Sequence, residues 1–402
     1  LHYVPDGVGD LVFNGIASDV TRESVLNGMQ GDAALHEGPH TVRFGFQVSA
    51  EKTRAVASNI VLPLDDAGNT IDAPFNITGV ASKLGWSGSI YTQDEWKITP
   101  QLSLNGGLRF DQADQYVTAH QVSPRISLTY APVKGTAFHA GYARYFTPPA
   151  QVLSGPTNVA AYTNTSAASE VTQNDPVKPE RSDYVDAGVT QKIAVVPGLE
   201  AGIDTYYKRA RNLLDDGQFG QALVLTTFNY ARAYNTGVEF KLNYKTETFS
   251  VYGNIAWARQ RATDPSSNQY LFDADELAYI QTHYVFTDHA QTWTASAGAS
   301  YLFPEGSYLT GTRVSADIIY GSGLRDGFAN TGSVSPYAQV NLGLSHEFTK
   351  GELSDTGPLT LRFDVVNLLD HAYVIRDGSG IGVFAAQYGQ RRGFFAGLSQ
   401  SF

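Results

Sequence analysis

The densest set of side chains able to do chemistry is Asp273, Asp275, Glu276, His283, Asp288 and His289, carboxylates and imidazoles gathered in one stretch. Such donors together suit a transition metal. A metal site also needs close, fixed spacing, and this stretch reads as a long polar connection, so a solvated, charged loop accounts for them better. Residues 274–279 are expected to form a short helix inside it. The acidic pairs Asp65 with Asp66 and Asp215 with Asp216 stand in polar stretches without an evident partner. Gly378, Ser379 and Gly380 lack the strand–turn–helix setting of a hydrolase nucleophile. Other Gly-rich segments do not precede a helix, as a phosphate cradle requires. The 402 residues include no cysteine, which excludes thiolate nucleophiles, thiolate metal ligands and disulfides. No catalytic, metal or cofactor-binding residue is assigned, no cofactor is expected, and the chain is expected not to be an enzyme.

The elements that must position any site are strands. The residues 102–111 set Leu102, Leu104, Leu108 and Phe110 on one face and Ser103, Asn105, Arg109 and Asp111 on the other. The same alternation recurs at 42–48, 238–244, 249–257, 314–320, 340–348 and 359–365, in about 15 segments by the period-two rule. Each is near the ten residues of a tilted membrane strand. No stretch approaches the about 18 apolar residues of a membrane helix. Only helices and closed barrels satisfy their backbone in lipid, so a membrane chain of this kind must be a barrel, apolar outward and polar inward. A composition of 39 Gly, 23 Tyr and 21 Phe agrees. The 28 basic residues are outnumbered by 39 acidic ones, net charge −11, which argues against nucleic acid as a partner.

Connections alternate between two kinds. Short ones carry turn residues: HEGPH at 36–40, ITPQ at 98–101, APVKG at 131–135, VPG at 196–198 and KTET at 245–248. Long polar ones are expected over 56–84, 147–181, 211–229, 261–290 and 373–390. Periplasmic turns and extracellular loops give a barrel this bias, which a Greek-key sandwich has no reason to show. Aromatic residues near strand ends (Tyr91, Trp96, Tyr130, Tyr142, Tyr206, Tyr207, Tyr244, Trp257, Trp293, Tyr301, Phe303, Tyr320, Phe348 and Phe402) are expected to form interfacial girdles.

Several stretches, in order, resemble the C-terminal barrel of the TonB-dependent outer-membrane receptors: YTQDEWKITPQLSLNGGLRFD at 91–111, VSPRISLTYAP at 122–132, and YARYFTPP at 142–149 joined to KPERSDYVDAG at 178–188. VNLLDHAY at 366–373 and the terminal QRRGFFAGLSQSF at 390–402 complete the series, the last alternating Phe394, Ala396, Leu398 and Phe402 on one face. The resemblance covers roughly residues 24–402 and implies an all-β fold, a transmembrane antiparallel up-and-down β-barrel. The family's plug domain and TonB box are not visible in it. A plugged barrel of this type has about 22 strands, of which about 15–16 are expected here within a single barrel domain over 1–402. An even count is needed for closure. Either 11–18 is an ascending strand, with 1–23 otherwise loop, or upstream strands and the plug are missing, and the missing strands are the stronger expectation.

The resemblance further implies an active transport receptor in the outer membrane of a Gram-negative bacterium. It would import a scarce nutrient, with ferric siderophore ahead of carbohydrate or cobalamin, and draw energy from the TonB–ExbB–ExbD complex through the missing N-terminal part. Lipid, lipopolysaccharide and a small-molecule or metal-chelate ligand are the other expected partners. The alternatives are a plugless passive pore and a purely surface-binding barrel. Tyr162, Tyr230, Tyr234, Tyr279, Tyr284, Phe384 and Tyr388 are aromatic loop residues able to meet a ligand, although the substrate-binding residues stay unknown.

Overall fold

The computed structural model describes residues 3–5, 11–13, 17–171, 174–219, 224–267, 270, 272–349, 351–353, 356–379 and 386–400. The period-two segments form one antiparallel sheet in which strands follow one another in chain order. They are β1 (Ala17–Glu37), β2 (His40–Val61), β3 (Phe75–Thr99), β4 (Leu102–Asp114), β5 (Thr118–Tyr130), β6 (Thr136–Thr147), β7 (Glu180–Lys192) and β8 (Leu199–Phe219). Then come β9 (Val224–Lys245), β10 (Phe249–Pro265), β11 (Trp293–Leu302), β12 (Thr312–Gly321), β13 (Tyr337–Phe348), β14 (Leu359–Val366) and β15 (Gly393–Gln400). A two-residue strand, Val285–Phe286, adds to β10. Strands β1 and β15 are the edges, and no pairing joins them among the described residues. Leu11–Phe13, within the segment expected to ascend, pairs with Tyr3–Pro5 instead of the sheet. Residues 14–16 lie outside the described residues, as do Phe384 and Phe402, and β1 opens at Ala17 instead of residue 24.

The short connections fall where turn chemistry puts them. Gly38, at φ 55°, and Pro39 separate β1 from β2. Gly198, at φ 90°, ends the tight link before β8. The opposite side differs from expectation. Residues 56–84 and 211–229 are largely strand, because β2, β3, β8 and β9 run on well past the span that alternates cleanly. The connection above β2 shortens to 62–74, and that above β8 to 220–223, outside the described residues. The helix expected at 274–279 forms as α1 (Ala274–Thr282).

The faces are those of a barrel wall. Phe240, Ile255 and Ile318 are 44%, 45% and 41% exposed on the apolar face, where a soluble sandwich would bury them. The other face carries charges paired across strands: Lys241 lies 3.4 Å from Asp204, and Asn341 donates to Asp317 at 2.7 Å. Most expected girdle residues lie on the apolar face, Trp96, Tyr130, Tyr207, Trp293 and Tyr301 among them, each at least 40% exposed. Tyr91 and Tyr206 do not. They face the polar side, opposite Gly45 and Gly237, where an added Cβ would sit 2.6 Å from each ring. A ring laid over a cross-strand glycine replaces the packing that glycine lacks.

At Gly198 an alanine Cβ would meet the Lys245 carbonyl oxygen at 2.2 Å, on top of its positive φ. At Gly38 the φ is also positive but the space is open. Gly198→Ala should therefore cost about 2–3 kcal/mol and Gly38→Ala about 1 kcal/mol. The temperature at which the folded receptor loses its compact migration in SDS gels should fall more for the first than for the second.

Candidate functional site

The polar face of the wall and the loops crossing its rim define the site. On the wall, His139 Nε2 stands 3.1 Å from Asp204 Oδ1 and 3.6 Å from Asp186 Oδ2. Alternation on β6, β7 and β8 sends all three to the same side. Elsewhere on the same face, Asp32, Arg43, Tyr91, Gln93, Arg109 and Arg125 line a recess. Nearer the rim, Lys208 Nζ pairs with Glu180 at 2.6 Å. These groups offer hydrogen bonds and charge to a passing solute.

The rim is held by a few buried amides. Gln151, on a turn after β6, donates through Nε2 to Glu51 O and Thr53 Oγ1, both at 3.0 Å, and to Lys83 O at 3.1 Å. That one side chain ties the 148–179 connection to β2 and β3. Asn229 donates to Lys178 O and Asn212 O and accepts from Lys178 N and Ser267 Oγ, at 2.7–3.0 Å. It locks β9 to two neighbouring connections. The β8–β9 hairpin also leans over the rim. Arg22 of β1 donates to Leu225 O at 3.0 Å, and Tyr162, Phe219 and Tyr270 stack edge to face with centroids 4.7 and 5.0 Å apart.

The carboxylate–imidazole set is absorbed into this scaffold. Asp273 and Glu276 form the capping box of α1, and Glu276 also accepts from Ala329 N at 2.6 Å. His283 ends the helix with its ring stacked on Tyr279 at 4.1 Å. Asp288 pairs with Arg376 at 3.3 Å and lies 3.6 Å from His289. Asp275 stays on the exposed first turn. Among the described residues no three such donors converge as a metal site.

Of the aromatic loop residues, Tyr162 and Tyr230 are buried, 4% and 0% exposed, and serve as packing. Tyr279 is half-buried against the same cluster as Tyr230. Tyr284 and Tyr388 are exposed, and Tyr234 touches Tyr284 with centroids 5.5 Å apart. Sequence reasoning missed Gln151 and Asn229, since a buried amide cannot be told from a surface one by its letter. Asp215, which reads in the sequence as a solvated acid in a polar stretch, instead lies within β8 with its carboxyl shielded from water. Burial under the rim pushes that carboxyl up to about 7, with Asp288 and Asp216 adding to the effect. Burial raises Asp288 as well, against the pull of Arg376. The half-buried Asp370 goes the other way, held down by Arg391 Nη2 at 2.6 Å.

Residues 5–368 match the family model described as TonB dependent receptor-like, beta-barrel, and the chain belongs to that family. It is therefore an outer-membrane protein of the Gram-negative type, from a family of transport receptors and not of enzymes. Solved structures agree on the fold. The siderophore receptor PiuA of Acinetobacter baumannii superimposes with a TM-score of 0.64 at 15% identity, over 95% of this chain and 56% of that one. The ferric yersiniabactin uptake receptor FyuA of Yersinia pestis gives 0.65 at 14%, over 95% and 54%. The copper transporter OprC gives 0.64 at 14%, over 96% and 57%. The chain thus spans a little over half the length of these structures. No curated protein sequence matches it.

An acid raised in the folded state contributes stability below its unfolded value of about 4, and that contribution is lost as pH rises through about 7. The loss amounts to up to about 4 kcal/mol. Protease cleavage of the rim should quicken as pH rises from about 4 to about 7 and level off above that. Asp215→Asn should flatten that dependence, and an unchanged pH profile in the variant would reject the assignment.

Proposed function

We propose that this chain forms the wall and mouth of a receptor that captures a small metal chelate, in the first instance a ferric siderophore, and passes it inward with energy drawn from TonB, ExbB and ExbD. The observation that carries the reading is a charged, hydrogen-bonding inner wall beneath a rim crossed by anchored loops, in a member of this family. Exposed Tyr284 and Tyr388 at the rim suit ring stacking on a ligand. Two of the structures quoted above are siderophore receptors and one is a copper transporter, which supports a metal-laden cargo over a carbohydrate or cobalamin. The free edges of β1 and β15 would be met in the assembled receptor by further wall strands, and coupling to TonB would reside in parts beyond this wall. Nothing among the described residues favours the passive-pore alternative.

Growth on iron-limited medium with a panel of ferric siderophores tests this. Deleting the gene should abolish use of at least one chelate, with recovery when the gene is restored and loss again in a strain lacking TonB. Unchanged growth on every chelate would overturn the cargo, and uptake persisting without TonB would promote the pore.

A further inference from the structure

One patch of the apolar face breaks its own rule. Register carries β8, β9 and β10 upward in matched rows. Ile203, Phe240 and Ile255 form an apolar row, and Thr205, Val238 and Trp257 the next. The following three rows are Tyr207, Thr236 and Arg259; then Arg209, Tyr234 and Arg261; then Arg211, Arg232 and Thr263. Five of those nine positions are arginine and none is acidic, in a chain whose net charge is −11. With strands about 4.8 Å apart and alternate residues about 7 Å apart along each strand, the five guanidiniums share a patch little wider than one lipid headgroup.

The arginines are not there to close ion pairs. Among the described residues none of the five forms one. The flanking carboxylate, Asp183 opposite Arg209 on β7, accepts from Tyr142 at 2.8 Å and lies 3.9 Å from Arg144. Arg209, Arg211, Arg232 and Arg259 are exposed. Aromatic rings hold the patch in shape: Arg259 lies over Trp257 at 5.5 Å, and Phe286 is sandwiched by Arg261 at 4.4 Å and Arg325 at 3.5 Å. At the upper corner Thr263 donates to Ile280 O at the end of α1, so the helix marks where the patch stops.

We propose that this outward face of β8, β9 and β10 binds the phosphate groups of a phosphorylated lipid of the outer leaflet. The patch begins immediately beyond the tryptophan row formed by Trp257 and Trp293, where an interfacial belt ends and headgroups begin. Guanidinium forks match phosphate oxygens in pairs, while the apolar rows below meet the acyl chains of the same molecule. The occupant is thus a lipid, continuous with the apolar band, and not a free anion. The inference rests on the outer-membrane location and is independent of the imported ligand, so the growth test can fail without touching it.

The test uses the full-length receptor purified in mild detergent, with bisphosphorylated lipid A, dephosphorylated lipid A and inorganic phosphate as probes in native mass spectrometry. Wild type should retain bisphosphorylated lipid A in preference to the dephosphorylated form. The triple variant Arg232→Glu, Arg259→Glu, Arg261→Glu should lose roughly a hundredfold in retention, and the milder pair Arg259→Ala, Arg261→Ala should fall between. Lys134→Glu, in a turn at the far side of the membrane, should behave as wild type, and compact SDS-gel migration verifies that each variant is folded. Equal retention of both lipids, or an unchanged triple variant, would overturn the proposal. Inorganic phosphate displacing the lipid at matched concentration would also overturn it, in favour of a free-anion site.

Discussion

In hydrocarbon an unpaired backbone N–H or C=O costs several kcal/mol, and water is not there to relieve it. The unbroken ladder from β1 to β15 is the structure's answer to that constraint. Once every strand must pair on both sides, side chains have only two directions, and the period of two becomes absolute. Phe240 must face lipid because Lys241 faces the interior, and the same holds for Ile255 with Asn254 and for Ile318 with Asp317. Polar residues such as Asp204, His139 and Lys241 thereby arrive on one surface without any local device to gather them.

Above the lipid the constraint relaxes and a different one takes over. Strands β2, β3, β8 and β9 keep pairing but no longer need one apolar face, so Asp215, Gln218 and Thr226 occur there. The rim must hold its shape against water, and it does so through buried amides. Gln151, Asn229 and Asn367 each bridge segments far apart in sequence, the last donating to His371 O at 2.9 Å and Gln390 O at 2.8 Å. The loops are thereby fixed at their bases.

The pattern of what the letters revealed follows from these two regimes. Within the lipid span alternation is imposed, so 102–111 and 238–244 were legible as strands and their faces were read correctly. Past it, Asn, Thr and Asp on both faces look like loop, which hides the upper ends of β2, β3, β8 and β9. Helix α1 forms where a short helix is expected, and its capping box joins residues only three apart. Tyr91 and Tyr206 pass for girdle residues in the sequence, because a tyrosine over a glycine depends on the strand next door. The rim was least legible. Its ties join residues as distant as Asn59 and Tyr162, and nothing in either neighbourhood names the other.

The central claim is that one face of this sheet touches lipid and the other does not. These 402 residues hold no cysteine, so a single cysteine introduced in the wall gives a site-specific label there. Nitroxides placed one at a time at positions 238 to 244 of β9 in the full receptor, reconstituted in bilayers, report collisions with oxygen and with a polar nickel chelate. Oxygen maxima are expected at 238, 240 and 242, and chelate maxima or protein contact at 239, 241 and 243. A flat profile, or the opposite phase, would contradict it.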